Sequence, residues 1–158
     1  MMLLSQEDFS HVVEHTPLIS IDLIVKNSKG EVLLGKRVNE PASGYWFVPG
    51  GRIFKDETLH DAFLRTTNSE LSLSLEQSQA KFYGLYEHFY HNNVFTNNFS
   101  THYIVMAHEI ETETIPSINH QHSEYQWFTI KNLLEDESVH GYTKDYFRKI
   151  EGEKLNVK

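Results

Sequence analysis

The chain has 158 residues, of which 39% are hydrophobic and 13% aromatic, so it can bury the core of one domain and is a poor fit to a disordered protein. Its formal net charge of −8 argues against binding to nucleic acid or to an anionic membrane surface, because phosphate groups there are bound through clustered Lys and Arg. The absence of cysteine excludes disulfides and thiolate metal sites.

The sequence carries no sign of targeting or of internal division. It begins without a basic segment or a long apolar run, and nowhere do about eighteen apolar residues occur together. It also shows no repeat, low-complexity tract or linker. We therefore expect a soluble, cytoplasmic protein that folds as a single domain over residues 1–158.

The predicted elements begin with a helix and two strands. Gln6 to His15 is predicted to be a short helix with Phe9, Val12 and Val13 on one side. LISIDLIV at 18–25 and VLLGKR at 32–37 are predicted to be strands, and turn residues at 27–30 separate them.

A glycine loop and a helix are predicted next. YWFVPGG is apolar and β-prone until Pro49-Gly50-Gly51 interrupts it, and Asp56 is a plausible N-cap for a helix that continues to about Leu71. Two adjacent glycines let a backbone approach a ligand or a metal closely, although alone they would indicate an ordinary turn.

The second half of the chain predicts further strands and two helices. Strands are expected at 80–90, 99–110 and 125–130. An exposed polar loop is expected at 91–98, and helices near 131–135 and 143–150. Together the elements predict an α+β or α/β sandwich.

The segment from Gly50 to Leu73 carries the main functional signal. Its spacing resembles the pattern of the Nudix superfamily, in which a Gly, five residues, a Glu and seven residues precede Arg-Glu-x-x-Glu-Glu-x-Gly. The matching positions are Gly51, Glu57, Arg65 and Glu70. The positions that depart from the pattern are Thr66, Ser69 and Ser72, where it has Glu, Glu and Gly.

The missing acidic residues limit the metal chemistry. On a helix of about 3.6 residues per turn, positions 66, 69 and 70 share one face, where three glutamates would form a dense cation site. This chain offers only Glu70 there. One carboxylate can hold Mg²⁺, which borrows oxygen ligands from water and phosphates, so a multi-metal cluster is not expected.

Charged residues near the glycine loop are candidates for binding or for structure. Glu57 and Arg65 are expected to pair and brace the loop. Arg37 and Arg52 flank the loop in sequence, and guanidinium groups suit diphosphate oxygens, although arginine is also common on plain surfaces. Asp22 lies in an apolar strand, where a carboxylate is paired or functional, or else faces solvent on an alternating strand.

The missing glutamates also remove the usual general base from the helix. The polar segment Asn119-His120-Gln121-His122 precedes the last strand, and histidine titrates near neutrality. His122 or His120 is therefore the natural replacement. A zinc site formed by the two histidines is the alternative, but it lacks an obvious third ligand of matching strength.

Together these features resemble one branch of the Nudix superfamily, the GDP-mannose mannosyl hydrolases. The likeness runs from QEDF at 6–9 through the last strand, and its most specific parts are LISIDLIV, LLGKR, GYWFVPGGR, KDETL, FYG with EHFY, THY and the Gln-His pair. It implies a Nudix fold, an α+β (α/β/α) sandwich with a mixed β-sheet between helices. It also implies hydrolysis of GDP-mannose, and similarly GDP-glucose, to GDP and free sugar by Mg²⁺-assisted attack of water at the anomeric carbon with inversion.

The resemblance further implies a metal site and a general base. One Mg²⁺ per subunit would be held by the Gly50 carbonyl, Glu70 and Gln121, with diphosphate oxygens completing the shell. His122 matches the general base of the family.

The resemblance also implies which residues meet the substrate. Arg37 and Arg52 would lie at the leaving diphosphate. The residues expected around the sugar and phosphate are Asp22, His88 and Tyr103. The residues expected to help bind the nucleotide are Leu3, Leu4 and Phe9, in a homodimer whose subunits contribute to each other's sites.

Two other functions stay open. A conventional Nudix phosphoanhydride hydrolase would release GMP and mannose 1-phosphate, but Thr66 and Ser69 argue against it. A catalytically inactive nucleotide-sugar sensor would also explain the degraded motif, whereas the retention of Glu70, Gln121 and His122 with the two arginines argues for catalysis. Ser72 leaves the end of the helix open, since glycine readily takes the left-handed conformation there.

Overall fold

The computed structural model describes residues 3–95, 98–117 and 121–148, in which seven strands form one mixed sheet between helices. The helices are α1 (Gln6–His15), α2 (Leu59–Leu71), α3 (Ile130–Glu135) and α4 (Gly141–Asp145), with a 3₁₀ turn at Gln77–Gln79. The strands are β1 (Leu18–Lys26), β2 (Val32–Arg37), β3 (Trp46–Phe47), β4 (Gly50–Arg52), β5 (Lys81–Tyr90), β6 (Thr101–Glu111) and β7 (His122–Phe128).

The order of the strands brings Gly50 and Gly51 against the first strand, where they belong to β4 and not to the predicted loop, because they pair with Asp22 and Ile21 of β1. The sheet runs β3-β2-β1-β6-β5, while β4 also pairs with β1 and β7 with β2. The pair β1 and β6 is parallel, and the other pairs are antiparallel. Asp22 of β1 lies opposite Gly50 of β4, so this carboxylate and the glycine loop meet in one ladder.

Alternation along β1 separates the two halves of the core. Ile21, Leu23 and Val25 pack with residues of α2, and Ile24 packs in a second cluster with residues of β3, α3 and Tyr146. Asp22 lies two residues before Ile24 and so shares its face, because side chains of a strand alternate between faces. The first strand therefore directs Asp22 to the side of the sheet that carries the C-terminal helices.

Helix α2 begins at a different N-cap from the predicted one, and it ends at Ser72, the position of the last glycine in the Nudix pattern. The N-cap is Thr58, whose Oγ1 accepts a hydrogen bond of 3.1 Å from the Asp61 N–H. The expected cap at Asp56 was wrong, because Asp56 adopts a left-handed φ of 65° in the turn before the helix. Ser72 ends the helix with φ 55° and ψ 30°, so serine takes the left-handed conformation that glycine usually provides.

The remaining elements follow the predicted order with shifted boundaries. The last strand begins at His122 instead of Tyr125, because His122 already pairs with Arg37 of β2. The final helix begins at Gly141, earlier than expected, and residues 149 and 150 of the predicted helix lie outside the described residues. Within the described part of the chain, no helix is long and apolar enough to cross a membrane.

Candidate active site

A cavity of about 230 Å³ lies where the glycine loop meets β1, and many of the predicted site residues line it. These residues are Phe9, Asp22, Arg37, Gly50, Arg52, His88, Tyr103 and Gln121. They come from α1, from five different strands and from the residue before β7. The fold thus gathers in one place side chains that are more than a hundred residues apart in sequence.

Asp22 is a buried carboxylate in the wall of this cavity. Only 7% of Asp22 is exposed, so the possibility that it faces solvent is excluded. Its Oδ2 accepts a hydrogen bond of 2.5 Å from the Tyr146 hydroxyl. Burial raises the pKa of Asp22 to about 7, although the Tyr146 hydrogen bond and the charge of Arg37 act to lower it. A carboxyl group that titrates near neutrality therefore lines the cavity.

His88 is held in the same wall as a neutral imidazole. It is 3% exposed, and its ring stacks on Tyr142 at a centroid distance of 4.2 Å. Burial, together with the charge of His140, lowers the pKa of His88 to about 3. Its Nε2 lies 3.4 Å from the Tyr146 hydroxyl, so Tyr146 contacts both His88 and Asp22.

The two predicted arginines both reach the cavity and are held by different contacts. The guanidinium carbon of Arg52 lies 3.7 Å from the ring centroid of Phe9, a cation–π contact from α1. Burial lowers the pKa of Arg52. Arg37 donates from Nε to the Pro41 carbonyl at 3.0 Å.

Tyr103 lies within electrostatic range of both arginines. Burial raises the pKa of its phenol, while the charges of Arg37 and Arg52 act in the opposite direction. The cavity therefore contains two guanidinium groups, a phenol and a buried carboxyl group. These groups can bind the oxygens of a diphosphate and the hydroxyls of a sugar.

Glu70 and His122 lie together behind the cavity wall. They are 2% and 1% exposed, and neither belongs to the residues that line the cavity, although Gln121 does. His122 Nδ1 lies 3.5 Å from Glu70 Oε2 and 3.2 Å from the Tyr125 hydroxyl. A Cβ on Gly35 would approach the His122 ring to 2.5 Å, so the glycine permits the imidazole to pack against β2.

The oxygen donors near α2 fit Mg²⁺ better than Zn²⁺. The described residues contain no group of three or more His, Cys, Asp or Glu side chains that could together hold a metal ion. The predicted ligands Gly50, Glu70 and Gln121 would offer a carbonyl, a carboxylate and an amide oxygen, the hard donors that Mg²⁺ prefers. Thr66 Oγ1 is also buried and without a hydrogen-bond partner among the described residues, and it lies 3.4 Å from where a Cβ of Gly51 would stand.

Besides Glu70 and His122, three predicted residues are not placed in the cavity. Leu3 and Leu4 are 66% and 46% exposed ahead of α1, and they do not line it. Their role at the nucleotide therefore stays a prediction. His120 lies outside the described residues, and with it the alternative zinc site.

The predicted brace of the glycine loop is confirmed. Arg65 donates from Nε to Glu57 Oε1 at 2.6 Å and from Nη2 to Glu57 Oε2 at 2.8 Å. Arg65 Nη2 also donates to the Arg52 carbonyl at 2.9 Å, so the pair fixes the backbone that carries Arg52.

Tyr90 and Tyr146 were not predicted from the sequence to be site residues. Tyr90 lines the cavity, and the period of two along a strand would have placed it on the same face as His88. Tyr146 follows α4 and reaches Asp22 across 124 residues of sequence. No local pattern signals such a contact.

Comparisons with known proteins agree with this architecture. Residues 16–148 match the NUDIX domain family. The low-salt glycan biosynthesis protein Agl8 of Haloferax volcanii is 36% identical over 141 residues, which cover 89% of this chain and 86% of that protein.

Two solved structures share the fold at low sequence identity. A MutT protein from Methanosarcina mazei is 22% identical with a TM-score of 0.68, covering 84% of this chain and 92% of its own. A MutT NUDIX hydrolase from Burkholderia pseudomallei is 21% identical with a TM-score of 0.65, covering 84% of this chain and 96% of its own. The mixed sheet flanked by helices is thus the Nudix fold.

Proposed function

The chain belongs to the Nudix family of hydrolases, and from this premise we propose that it hydrolyses GDP-mannose, and similarly GDP-glucose, to GDP and free sugar. Water attacks the anomeric carbon of the sugar, with inversion. The observation that carries the proposal is the convergence of Arg37, Arg52, Asp22, His88 and Tyr103 on one cavity.

The composition of α2 supports attack at carbon over attack at phosphorus. Thr66 and Glu70 are both buried residues of α2, but only Glu70 has a carboxyl group. A helix face with a single carboxylate does not supply the dense cation site and helical base expected of conventional phosphoanhydride hydrolysis. A reaction that needs one metal ion and a general base outside α2 suits these residues better.

The name of the Haloferax volcanii relative supports a substrate from sugar metabolism. That protein is called a low-salt glycan biosynthesis protein. Glycan assembly consumes activated sugars, so an enzyme that hydrolyses a nucleotide sugar is compatible with such a role.

The two arginines bind the diphosphate and stabilise the charge that grows on departing GDP. Arg52 is held in place by Phe9 on one side and by the Arg65–Glu57 pair beneath its backbone. Asp22, Tyr103 and the neutral His88 orient the sugar and the phosphate next to it. Preorganised donors of this kind cost little reorganisation during the reaction.

The metal belongs to the same proposal. The Gly50 carbonyl, Glu70 and Gln121 would hold one Mg²⁺ per subunit, which would supply positive charge to neutralise the diphosphate of the leaving group. The enzyme acts in the cytoplasm as a homodimer, with Leu3, Leu4 and Phe9 at the nucleotide.

His122 is the proposed general base. Its Nδ1 lies 3.5 Å from Glu70 Oε2 and 3.2 Å from the Tyr125 hydroxyl, contacts that orient the imidazole, and the neighbouring Gln121 lines the cavity. Asp22 is the competitor for this role, because it lines the cavity and has a pKa of about 7. Inverting displacement requires the base on the face opposite the leaving group, with space for one water.

The products test the proposal. GDP-mannose is incubated with the protein and Mg²⁺, and the reaction is followed by ³¹P and ¹H NMR. The proposal expects GDP and, as the first sugar formed, β-mannose. GMP with mannose 1-phosphate would overturn it in favour of phosphoanhydride hydrolysis, and tight binding without turnover would favour a sensor.

A further inference from the structure

A buried hydroxyl group next to the proposed metal site has no partner within the described part of the protein. Thr66 of α2 is 1% exposed, and its Oγ1 makes no hydrogen bond to any described residue. Burying a hydroxyl group without a hydrogen bond is unfavourable, so such groups usually have a partner. We propose that Thr66 Oγ1 binds a water of the Mg²⁺ hydration shell and thereby strengthens metal binding. This role rests on the Mg²⁺ site of the proposed function.

Thr66 packs against the strand that carries the proposed carbonyl ligand. A Cβ built on Gly51 of β4 would stand 3.4 Å from Thr66 Oγ1 and 3.5 Å from Thr66 Cγ2. The carbonyl carbon of Gly50 is bonded to the nitrogen of Gly51, so Thr66 lies close to the peptide group that holds the proposed ligand oxygen. Both glycines line the cavity. The hydroxyl of Thr66 is therefore near the place where the diphosphate and its metal ion would bind.

Thr66 also shares a helix face with Glu70, the carboxylate of the proposed metal site. The two residues are four positions apart in α2, a spacing that places side chains on successive turns of the same face. Both are buried. Thr66 Oγ1 makes no direct hydrogen bond to Glu70. Neighbouring polar groups that do not bond directly are suited to a bridging water.

The other two hydroxyl groups of α2 are already used inside the protein. Ser69 Oγ donates to the Thr66 carbonyl at 3.3 Å. Thr67 Oγ1 donates to the Leu64 carbonyl at 3.1 Å and accepts from the Leu75 N–H at 3.4 Å. Ser69 and Thr66 stand where the Nudix pattern has glutamate, but only Thr66 has a hydroxyl group that no described residue binds.

The chemistry of Mg²⁺ fits a contact through water. Mg²⁺ loses its waters reluctantly, and it usually keeps several of them when one or two carboxylates hold it. These waters point their hydrogens away from the ion, and a threonine oxygen can accept one of them. Groups that hold the ligands of a metal ion in this way typically contribute about 10- to 100-fold to its affinity. Thr66 thus replaces part of what a glutamate would supply, without adding a charge.

Metal binding to the full chain, measured without nucleotide, tests the proposal. Mn²⁺ is the probe, because the free ion gives an EPR signal, and Mg²⁺ is then added to displace it. Thr66→Val replaces the hydroxyl by a methyl group of similar size and should raise the Kd of both ions by about 10- to 100-fold. Ser69→Ala is the matched control and should bind like the wild type, because the Ser69 hydroxyl bonds to the helix. Equal Kd values in the two variants would overturn the proposal.

Two further variants separate the hydroxyl group from the packing of the side chain. Thr66→Ser and Thr66→Ala differ from each other only in that hydroxyl. Thr66→Ser should bind Mn²⁺ with nearly wild-type affinity, whereas Thr66→Ala should bind it as weakly as Thr66→Val. Equal affinity of the serine and alanine variants would mean that Thr66 acts through packing alone. That result would overturn the proposal even if Thr66→Val failed to fold.

The number of waters on the bound ion distinguishes a contact through water from direct coordination. Broadening of the EPR signal of bound Mn²⁺ in H₂¹⁷O counts these waters at saturating protein. We expect the same number in the wild type and in Thr66→Val. One additional water in the variant would mean that Thr66 Oγ1 itself coordinates the ion, which would overturn the proposal.

These measurements can fail separately from the proposed function. Glu70→Gln should lose most of the Mn²⁺ binding, and if Thr66→Val then binds normally, the role of Thr66 is overturned and the metal site is kept. Unchanged binding in Glu70→Gln would place the metal elsewhere and overturn both. Hydrolysis of GDP-mannose to GMP and mannose 1-phosphate, with weakened Mn²⁺ binding in Thr66→Val, would overturn the proposed function and leave the role of Thr66 intact.

Discussion

Tyr146 donates a hydrogen bond of 2.5 Å to Oδ2 of Asp22 and so joins the residue that follows the last helix to the first strand. Tyr146 is 2% exposed, and its hydroxyl also lies 3.4 Å from His88 Nε2. One phenol thus positions two of the groups that line the cavity.

Tyr146→Phe should lower kcat by roughly 10- to 150-fold with little change in KM. A hydrogen bond to a charged group contributes about 1.5–3 kcal/mol, and its loss lets the Asp22 carboxyl leave its reactive orientation. Steady-state kinetics with GDP-mannose and Mg²⁺ measure the effect. Tyr83→Phe is the control, because the Tyr83 hydroxyl donates to the Tyr146 carbonyl and does not touch Asp22. Equal losses of kcat in both variants would assign Tyr146 a purely structural role.

Asp22→Asn should stabilise the protein at alkaline pH. The pKa of Asp22 is raised from 3.8 to about 7 on folding, so the folded state favours the protonated form. Its contribution to stability is therefore fully present below pH 3.8 and is lost as the pH rises through 7. Asparagine stays neutral, so the variant does not lose this stability as the pH rises.

The pH dependence of the free energy of unfolding, measured with denaturant in metal-free buffer, tests this prediction. The variant should exceed the wild type by on the order of 2–4 kcal/mol above pH 7, with the difference shrinking toward pH 4. A difference that does not change with pH would contradict the raised pKa of Asp22.

His122→Gln should lower kcat while leaving the Mg²⁺ concentration for half-maximal activity nearly unchanged. Loss of a general base typically costs about 10²–10⁴ in rate. His60→Gln on the exposed surface of α2 is the control and should have wild-type turnover. Turnover that survives in His122→Gln but not in Asp22→Asn would transfer the role of base to Asp22.

Ser72→Gly should raise the free energy of unfolding by about 1 kcal/mol. Ser72 has a φ of 55°, and the left-handed conformation costs an L-residue roughly 1–2 kcal/mol relative to glycine, partly offset by the greater chain entropy of glycine. Denaturant unfolding measures the change. Ser74→Gly, at an exposed position where φ is not positive, should be destabilising instead. Stabilisation by both substitutions would contradict the argument.

Local patterns predicted most of the fold and much of the site. The apolar run at 18–25 depends on neighbouring residues alone, and it led to the correct strand β1. Gly50 and Gly51 were predicted to be a loop, but pairing with the distant β1 makes them part of strand β4. The spacing from Gly51 to Glu70 placed the brace between Glu57 and Arg65 correctly, because eight residues along a loop and helix determine it.

The sequence could not predict what depends on tertiary contacts. Asp56 has the chemistry of an N-cap, but the turn that precedes α2 gives it a left-handed φ and leaves the cap to Thr58. The hydrogen bond between Tyr146 and Asp22 requires the C-terminal helix to pack on the sheet, and no local sequence pattern predicts that packing. Burial of His122 beside Glu70 likewise follows from the pairing of β7 with β2.

Attack at the anomeric carbon is the central claim, and the position of an ¹⁸O label tests it most directly. GDP-mannose is hydrolysed with Mg²⁺ in H₂¹⁸O, and both products are examined by mass spectrometry and by the isotope shift in ³¹P NMR. The account predicts that ¹⁸O enters the mannose and that the GDP is unlabelled. Label in a phosphate of GDP, GMP or mannose 1-phosphate would place the attack at phosphorus and contradict it.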